Sequence, residues 1–288
     1  MSMVVAPGLK YRALRLLAIS LALVAAWYAL SYKRDWFYFY ARQNTLARSL
    51  PELGAALGRT GISLQTLGQV SYGASSLPLW VLRQPAANPA AKTICLMAGI
   101  HGNEPAGVQA LLALLQDMQT QPAAFAAHRY VIVPLANPWG WTHDLRHNGD
   151  NRDAARQFTD GSAQEATLLK KLFSAEHCDL LVDLHEDRFH AGFYLLAYGE
   201  PNQAGVENAL QSIETATGVR RARVGEAGVL AFAPAGFSGI ARTTAPLWAR
   251  MNGAQYAFIV ESEDTLPLAS RIAIHRQAIV GLTRLLTP

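Results

Sequence analysis

The chain predicts an α/β fold, with one mixed, mostly parallel twisted sheet and helices on both faces. Three observations carry that prediction. From Lys92 onward, apolar runs of strand length alternate with stretches of helical periodicity. The run Thr93–Ala98 stops at Gly99, and Pro105, a residue suited to a first helical position, follows six residues later. The residues able to do chemistry, His101, His185 and the acids after Val260, fall at the ends of such runs, where open α/β sheets bind ligands.

Taken in order, Leu16 to Tyr32 is uncharged and mostly apolar. Its seventeen residues are the short end of a membrane span, at ~1.5 Å rise per residue across a ~30 Å hydrocarbon core. Arg12, Arg15, Lys33 and Arg34 flank it, and Trp27, Tyr28, Trp36, Tyr38 and Tyr40 suit an interfacial belt. The expectation is an N-terminal membrane anchor over 1–34, a membrane partner through residues 16–32, and a catalytic part outside the cytoplasm. A cleaved secretory signal is the rival, although no small-x-small site closes the run. Residues 35–61 read as a helical connector, with Leu46, Leu50, Leu53 and Leu57 as a stripe and Pro51 as a break or restart.

Residues 62–288 read as the catalytic domain. Ser63–Val70 and Ser76–Leu82 predict a hairpin about Gly73, and 85–89 a surface loop. Strand Thr93–Ala98 precedes a helix carrying Val108, Leu111, Leu112, Leu115 and Met118 on one face. Then follow a strand at Tyr130–Leu135, a polar stretch at Asn137–Asp160, a helix at Ala163–Phe173, and strands at Leu180–Leu184 and Phe193–Tyr198. A helix at Gly205–Ala216, an irregular region at Val219–Ala245, a strand at Tyr256–Val260 and a helix at Leu268–Leu286 close the chain.

Charge excludes one class of partner. The first fifty residues hold seven Lys/Arg and one acid, Asp35. The remainder has 18 basic and 20 acidic residues, a balance of −2, so the basic pI belongs to the leader and not to a nucleic-acid-binding face. Cys95 and Cys178 lie in or beside buried strands and read as free thiols.

The chemistry centres on Gly99-Ile100-His101-Gly102-Asn103-Glu104. Its glycines allow sharp turning and close backbone approach. An imidazole and a carboxylate three residues apart can converge on one point, and together they are a zinc-type donor pair. A third ligand must come from elsewhere. The candidate is His185, in Leu181-Val182-Asp183-Leu184-His185. Glu261 closes the apolar strand Tyr256–Val260, where partial desolvation suits a general base. Glu263, on the same strand face, is its rival. Glu186 points to the opposite face if the strand continues and is left out of the ligand set. His128, His143, His147, His177, His190 and His275 read as surface or structural.

Five motifs in order carry a resemblance. They are H-x-x-E at 101–104, N-P-x-G at 137–140, R-x-N at 146–148 with D-x-x-R-x-F at 153–158, D-L-H at 183–185, and F-x-x-E at 258–261 before the last helix. This order resembles the zinc metallocarboxypeptidases of the carboxypeptidase A type. The short loops are more similar to the bacterial branch of murein-peptide amidases and the succinylglutamate desuccinylase/aspartoacylase group. The resemblance implies one zinc per chain on His101, Glu104 and His185, with Asp153 supporting His101. It implies Glu261 as general base, Arg146 as the oxyanion-holding arginine, and Arg156 as the grip on a substrate carboxylate. The usual Asn-Arg pair reads Ala155-Arg156 here, so Asn148 or Asn151 is a candidate replacement. The expected activity is cleavage of an amide next to a free carboxylate by zinc-activated water, on a peptide substrate. The alternatives are an N-acyl amino acid deacylase of the desuccinylase/aspartoacylase type and a catalytically silent peptide-binding relative.

Overall fold

A computed structural model of the chain describes residues 18–24, 26, 49–159, 161–199, 202–225, 228–232 and 244–286. The chain forms two compact units, Met1–Thr45 and Leu46–Pro288. In the first unit residues 18–24 and 26 are helical, with Ile19, Leu21, Leu23 and Val24 exposed. The rest of the expected span over 16–32 lies outside the described residues, as do residues 35–48 of the expected connector. Among the described residues, no helix is long and apolar enough to cross a membrane. The anchor, the membrane partner and the extracytoplasmic placement built on it are corrected accordingly. A bilayer core needs about 20 helical apolar residues in a row, and an apolar sequence run alone does not establish that length of helix.

In the second unit, α1 (Leu50–Gly58) starts on Ser49, whose side chain accepts from the Glu52 amide, and Pro51 sits in its first turn. Its Leu50, Leu53 and Leu57 are buried. β1 (Leu64–Tyr72) and β2 (Ser75–Gln84) form the expected antiparallel hairpin, with Gly73 in the left-handed region of its turn. β3 (Thr93–Ala98), β4 (Arg129–Val133), β5 (Leu180–Asp187), β6 (Phe193–Tyr198), β7 (Val229–Phe232) and β8 (Tyr256–Glu263) complete one eight-stranded sheet. Its order is β1-β2-β4-β3-β5-β8-β6-β7. The central pairs β4–β3, β3–β5 and β5–β8 are parallel, as is β6–β7, and β6 runs antiparallel to β8.

Helices α2 (Pro105–Thr120), α6 (Gln203–Thr217) and α8 (Leu268–Thr283) cover one face of the sheet with a large apolar core. Helices α5 (Gln164–Glu176) and α7 (Ala245–Met251) cover the other. Two short helices, α3 (Pro122–Phe125) and α4 (Pro138–His143), fill connections. The mixed, mostly parallel sheet flanked by helices is thus as expected; the preceding transmembrane helix is not.

Three further expectations need correction. Val219–Ala245 is not uniformly irregular, since β7 lies within it as a parallel edge strand. The strand bearing His185 continues to Asp187, and that bearing Glu261 to Glu263, so both residues lie inside strands. Cys95 and Cys178 are not free thiols; they form a disulfide with Cα atoms 5.7 Å apart. Cys95 pairs in register with Leu181, three residues beyond Cys178. That adjacency is made by the β3–β5 pairing and has no local signature in the sequence.

Candidate metal centre and active site

The loop after β3 is built for close approach. Gly99 has φ +65°, and a Cβ there would meet Leu135 at 2.7 Å and Val108 at 2.9 Å. Gly102 is tighter, because a Cβ would lie 2.0 Å from the Gly140 carbonyl carbon. The loop therefore packs Gly102 directly on the backbone of α4. The Glu104 amide donates to the His101 carbonyl at 3.1 Å, and Pro105 opens α2 directly behind.

His101, Glu104 and His185 come together, all three buried, with one ligand atom from each within 4.8 Å of the others. His101 Nδ1 lies 2.9 Å from Glu104 Oε1, and His185 Nδ1 lies 3.0 Å from Glu104 Oε2. The two Nδ1 atoms are 3.0 Å apart. The far nitrogens face acids: His101 Nε2 is 3.1 Å from Asp153 Oδ1, and His185 Nε2 is 3.0 Å from Asp183 Oδ2. An imidazole that gives its Nε2 proton to a carboxylate presents a lone pair at Nδ1. Two Nδ1 atoms and one carboxylate converging in a buried space are a donor set for a divalent cation. The residues fit a metal on that ground.

The electrostatics follow from the same contacts. Burial alone would raise the Glu104 carboxyl, but the charges and hydrogen bonds of His101 and His185 hold it well below the ordinary carboxylate range. Burial would lower His185, and Asp183 and Glu104 instead raise it well above the usual histidine value. Asp153 is held low against its burial by His101, Arg146 and Arg156.

Arg146 crosses between the acids. Its Nη2 is 3.0 Å from Asp153 Oδ2, and its Nη1 is 3.3 Å from Glu104 Oε1. Glu261 stands on β8 in register with His185 on β5. Burial pushes its carboxyl up to about 8, with Glu104 and Asp187 adding to the rise and His185 and Arg146 opposing it. Its rival Glu263 is occupied at the strand end, where Oε2 accepts from the Gly192 amide at 2.7 Å and Oε1 from the Thr265 hydroxyl.

The remaining candidates sit on the rim or in the loop. Arg156, in a 3-10 turn (Ala154–Arg156), has Nε 3.9 Å from Asp153 Oδ2 and is partly exposed. Asn148 is buried and committed at both ends: Nδ2 donates to Glu165, and Oδ1 accepts from the Asp150 and Arg152 amides. Asn151 is exposed, with Oδ1 3.1 Å from His147 Nδ1. His190 packs on Asp187 and edge-on to Tyr194, away from the three-residue cluster.

Sequence reading missed three residues here. Asp183, behind His185, was legible as the strand residue two before it on the same face. Glu186 contributes its backbone amide to Glu104 Oε2 at 3.1 Å, a contact no side-chain motif encodes. Tyr194 lies in register with Glu261, and its hydroxyl is 3.2 Å from Asp187 Oδ2.

Residues 90–222 match the succinylglutamate desuccinylase/aspartoacylase catalytic domain family. Carboxypeptidase 2 of Trichophyton tonsurans is 34% identical over 103 residues, covering 34% of this chain and 19% of that protein. Carboxypeptidase 2 of Trichophyton rubrum is 32% identical over 111 residues, covering 36% and 20%. The chain thus spans about a fifth of the length of these curated relatives. Among solved structures, a metallopeptidase candidate from Shewanella amazonensis SB2B superposes with TM-score 0.70 at 21% identity, covering 84% of this chain and 94% of the other. A metallo-carboxypeptidase from Pseudomonas aeruginosa superposes with TM-score 0.65 at 18% identity, covering 82% and 68%. The family match favours the deacylase alternative over the expected carboxypeptidase, while the curated relatives and solved structures carry carboxypeptidase or metallopeptidase names. The family match embraces the loop and strand bearing all three cluster residues, which could together hold a metal ion. The chain has a metallopeptidase-like fold, is similar over residues 90–222 to the succinylglutamate desuccinylase/aspartoacylase catalytic domain, and carries there a His-Glu-His cluster that could hold a metal ion.

Proposed function

We propose that this chain is a zinc-dependent amidohydrolase that removes the acyl group from an N-acyl amino acid. One observation carries the reading: His101, Glu104 and His185 converge in a segment matched to a desuccinylase/aspartoacylase catalytic domain, with Glu261 in register beside His185. Zinc on these three ligands supplies Lewis-acid polarisation of the amide carbonyl and acidifies water. Glu261 takes the proton of the attacking water and returns it to the leaving amine, a task for which a carboxyl raised towards neutral pH is suited. Arg146 donates to the carbonyl oxygen as negative charge develops there. Arg156, exposed enough to meet ligand, pairs with the free carboxylate of the amino acid. Asp153 and Asp183 fix the tautomer and tilt of the two imidazoles.

The test is amine release from N-succinyl and N-acetyl amino acids against C-terminal release from peptides, with metal content measured on the same preparation. Preferential amine release with near one zinc per chain is expected. Release of C-terminal residues alone would establish the carboxypeptidase reading instead, which the partial similarity to Carboxypeptidase 2 motivates. A metal-free wild type inactive on both panels would end both.

A further inference from the structure

Residues 144–153 join α4 to the 3-10 turn and have no helix or strand of their own. Yet both ends of this loop reach the metal centre. Asp153 Oδ1 lies 3.1 Å from His101 Nε2, and Arg146 Nη1 lies 3.3 Å from Glu104 Oε1. Something other than a helix or a sheet ladder must fix where those side chains sit. Asn148 closes the middle of the loop on itself. Its Oδ1 accepts from the Asp150 and Arg152 amides at 3.2 and 3.0 Å, and its own amide donates to the Arg152 carbonyl at 3.0 Å. Its carbonyl accepts from the amide of Asn151, a left-handed residue at φ +55°, a conformation asparagine tolerates better than most. Asn148 Nδ2 then donates out of the turn, to Glu165 Oε2 at 3.0 Å.

Glu165, in the first turn of α5, is fully buried. Its other oxygen, Oε1, accepts from the hydroxyl of Tyr72, the last residue of β1. Burial and that hydrogen bond push the Tyr72 phenol above its ordinary value, so it remains a donor. Tyr72 also packs on the loop directly, because a Cβ at Gly149 would lie 2.2 Å from its Cγ. Beside it, Ser71 exchanges two bonds with Gln164: its amide donates to Oε1 at 3.0 Å, and its carbonyl accepts from Nε2 at 2.8 Å. The hairpin and the start of α5 thus make one frame, and Glu165 ties the loop to it. A buried polar network with its members answered selects one arrangement of the segments it joins.

We propose that Glu165 is a positioning residue for the metal centre: held by Tyr72, it fixes Asn148, and so the loop ends that place Asp153 behind His101 and Arg146 beside Glu104. The inference rests on His101, Glu104 and His185 holding zinc, and not on which amide is cleaved. The acid behind a metal-bound imidazole sets the orientation and basicity of the ring. Glu165 acts one step further out, on where that acid stands.

The test measures the zinc affinity of the full chain by competition with a chromophoric chelator, and the visible absorption of its cobalt(II) form. Unfolding curves fix a temperature at which every variant is folded. Glu165→Ala should bind zinc about 10-fold or more weakly than wild type, in the range for an outer partner of a metal ligand, and its cobalt spectrum should shift. Glu165→Gln, which can accept from Asn148 and donate to the Tyr72 oxygen, should restore both readouts. Leu210→Ala, in the apolar core under α6 on the opposite face of the sheet, controls for lost stability and should leave both at wild-type values. Unchanged zinc affinity in Glu165→Ala, an equal loss in Leu210→Ala, or no rescue by glutamine overturns the assignment. Should Glu165→Ala not fold, Tyr72→Phe decides, since it removes the hydroxyl bond and keeps the ring on Gly149. A weaker zinc site is then expected, and an unchanged one overturns the assignment. A wild type that takes up no zinc ends the metal reading and this inference with it. Where zinc is bound, the affinity comparison decides the role of Glu165 whether or not any amide is cleaved.

Discussion

The two faces of the β5–β8 pair carry different polar layers on the same stretch of chain. His185 and Glu261 are in register, and so are Glu186 and Ser262 one residue on. Strand alternation sends the first pair to one face and the second to the other. On the reverse face both oxygens of the Glu186 carboxylate are answered. Glu186 Oε1 accepts from the Ala106 amide at the start of α2, and Oε2 pairs with Arg271 of α8. Ser262 Oγ is 3.0 Å from His275 Nε2, one turn along the same helix. On the catalytic face the charges are crowded: two imidazole nitrogens meet at 3.0 Å, and Glu261 is pushed up to about 8. His185, Glu186 and Ser262 are buried, and Glu261 is partly so. What separates a structural polar layer from a functional one is whether the groups satisfy each other without a further partner.

Perturbing each face should therefore break different things. The largest effect is expected from His101→Ala or His185→Ala, which should abolish stoichiometric zinc and turnover together, read by metal analysis and amine release. Next, Glu261→Gln should keep the metal and lose on the order of 10³-fold in kcat, within the range for a general base; unchanged turnover would remove Glu261 from the reaction. On the reverse face, Arg271→Ala should leave the buried Glu186 carboxylate unanswered and cost about 3–5 kcal/mol of stability, measured by urea unfolding. A variant that keeps its stability and loses only activity would erase the distinction between the faces.

The smallest effect is a pH dependence. Burial holds His275 neutral, with its pKa lowered from 6.5 to about 3. Between those values the unfolded chain binds a proton that the folded one does not. The stabilisation is therefore complete above about pH 6.5 and declines as pH falls through that window. From pH 6.5 to 5 one group accounts for about 2 kcal/mol. His275→Gln, which can keep a bond to Ser262, should flatten that part of the curve, and an unchanged slope would assign it to other groups.

Much of this arrangement is legible in the chain. The H-x-x-E pair is local, with a turn held by Gly99 and Gly102 that any reader of the sequence can place. His185 and Glu261 are visible because each follows an apolar strand. The hairpin about Gly73 and the alternation after Lys92 are equally local. Asp183 is local too, two residues before His185 on the same strand face, with Oδ2 3.0 Å from His185 Nε2. Other features had no local signal. The Cys95–Cys178 disulfide depends on β3 pairing with β5 across 83 residues of chain. The apolar run at 16–32 was legible as composition, and composition alone misled, since the described helices include none long enough to span a bilayer.

By itself the sequence determined which side chains were available for chemistry, and at which strand ends and turns, because turn glycines, apolar runs and ligand spacing act over a few residues. The tertiary structure decided which of them meet. It placed β5 between β3 and β8 and brought three buried donors to one point. Those outcomes are contacts between segments 76 or more residues apart, as His185 and Glu261 are. They are fixed by strand order and register, which no short stretch of the chain encodes.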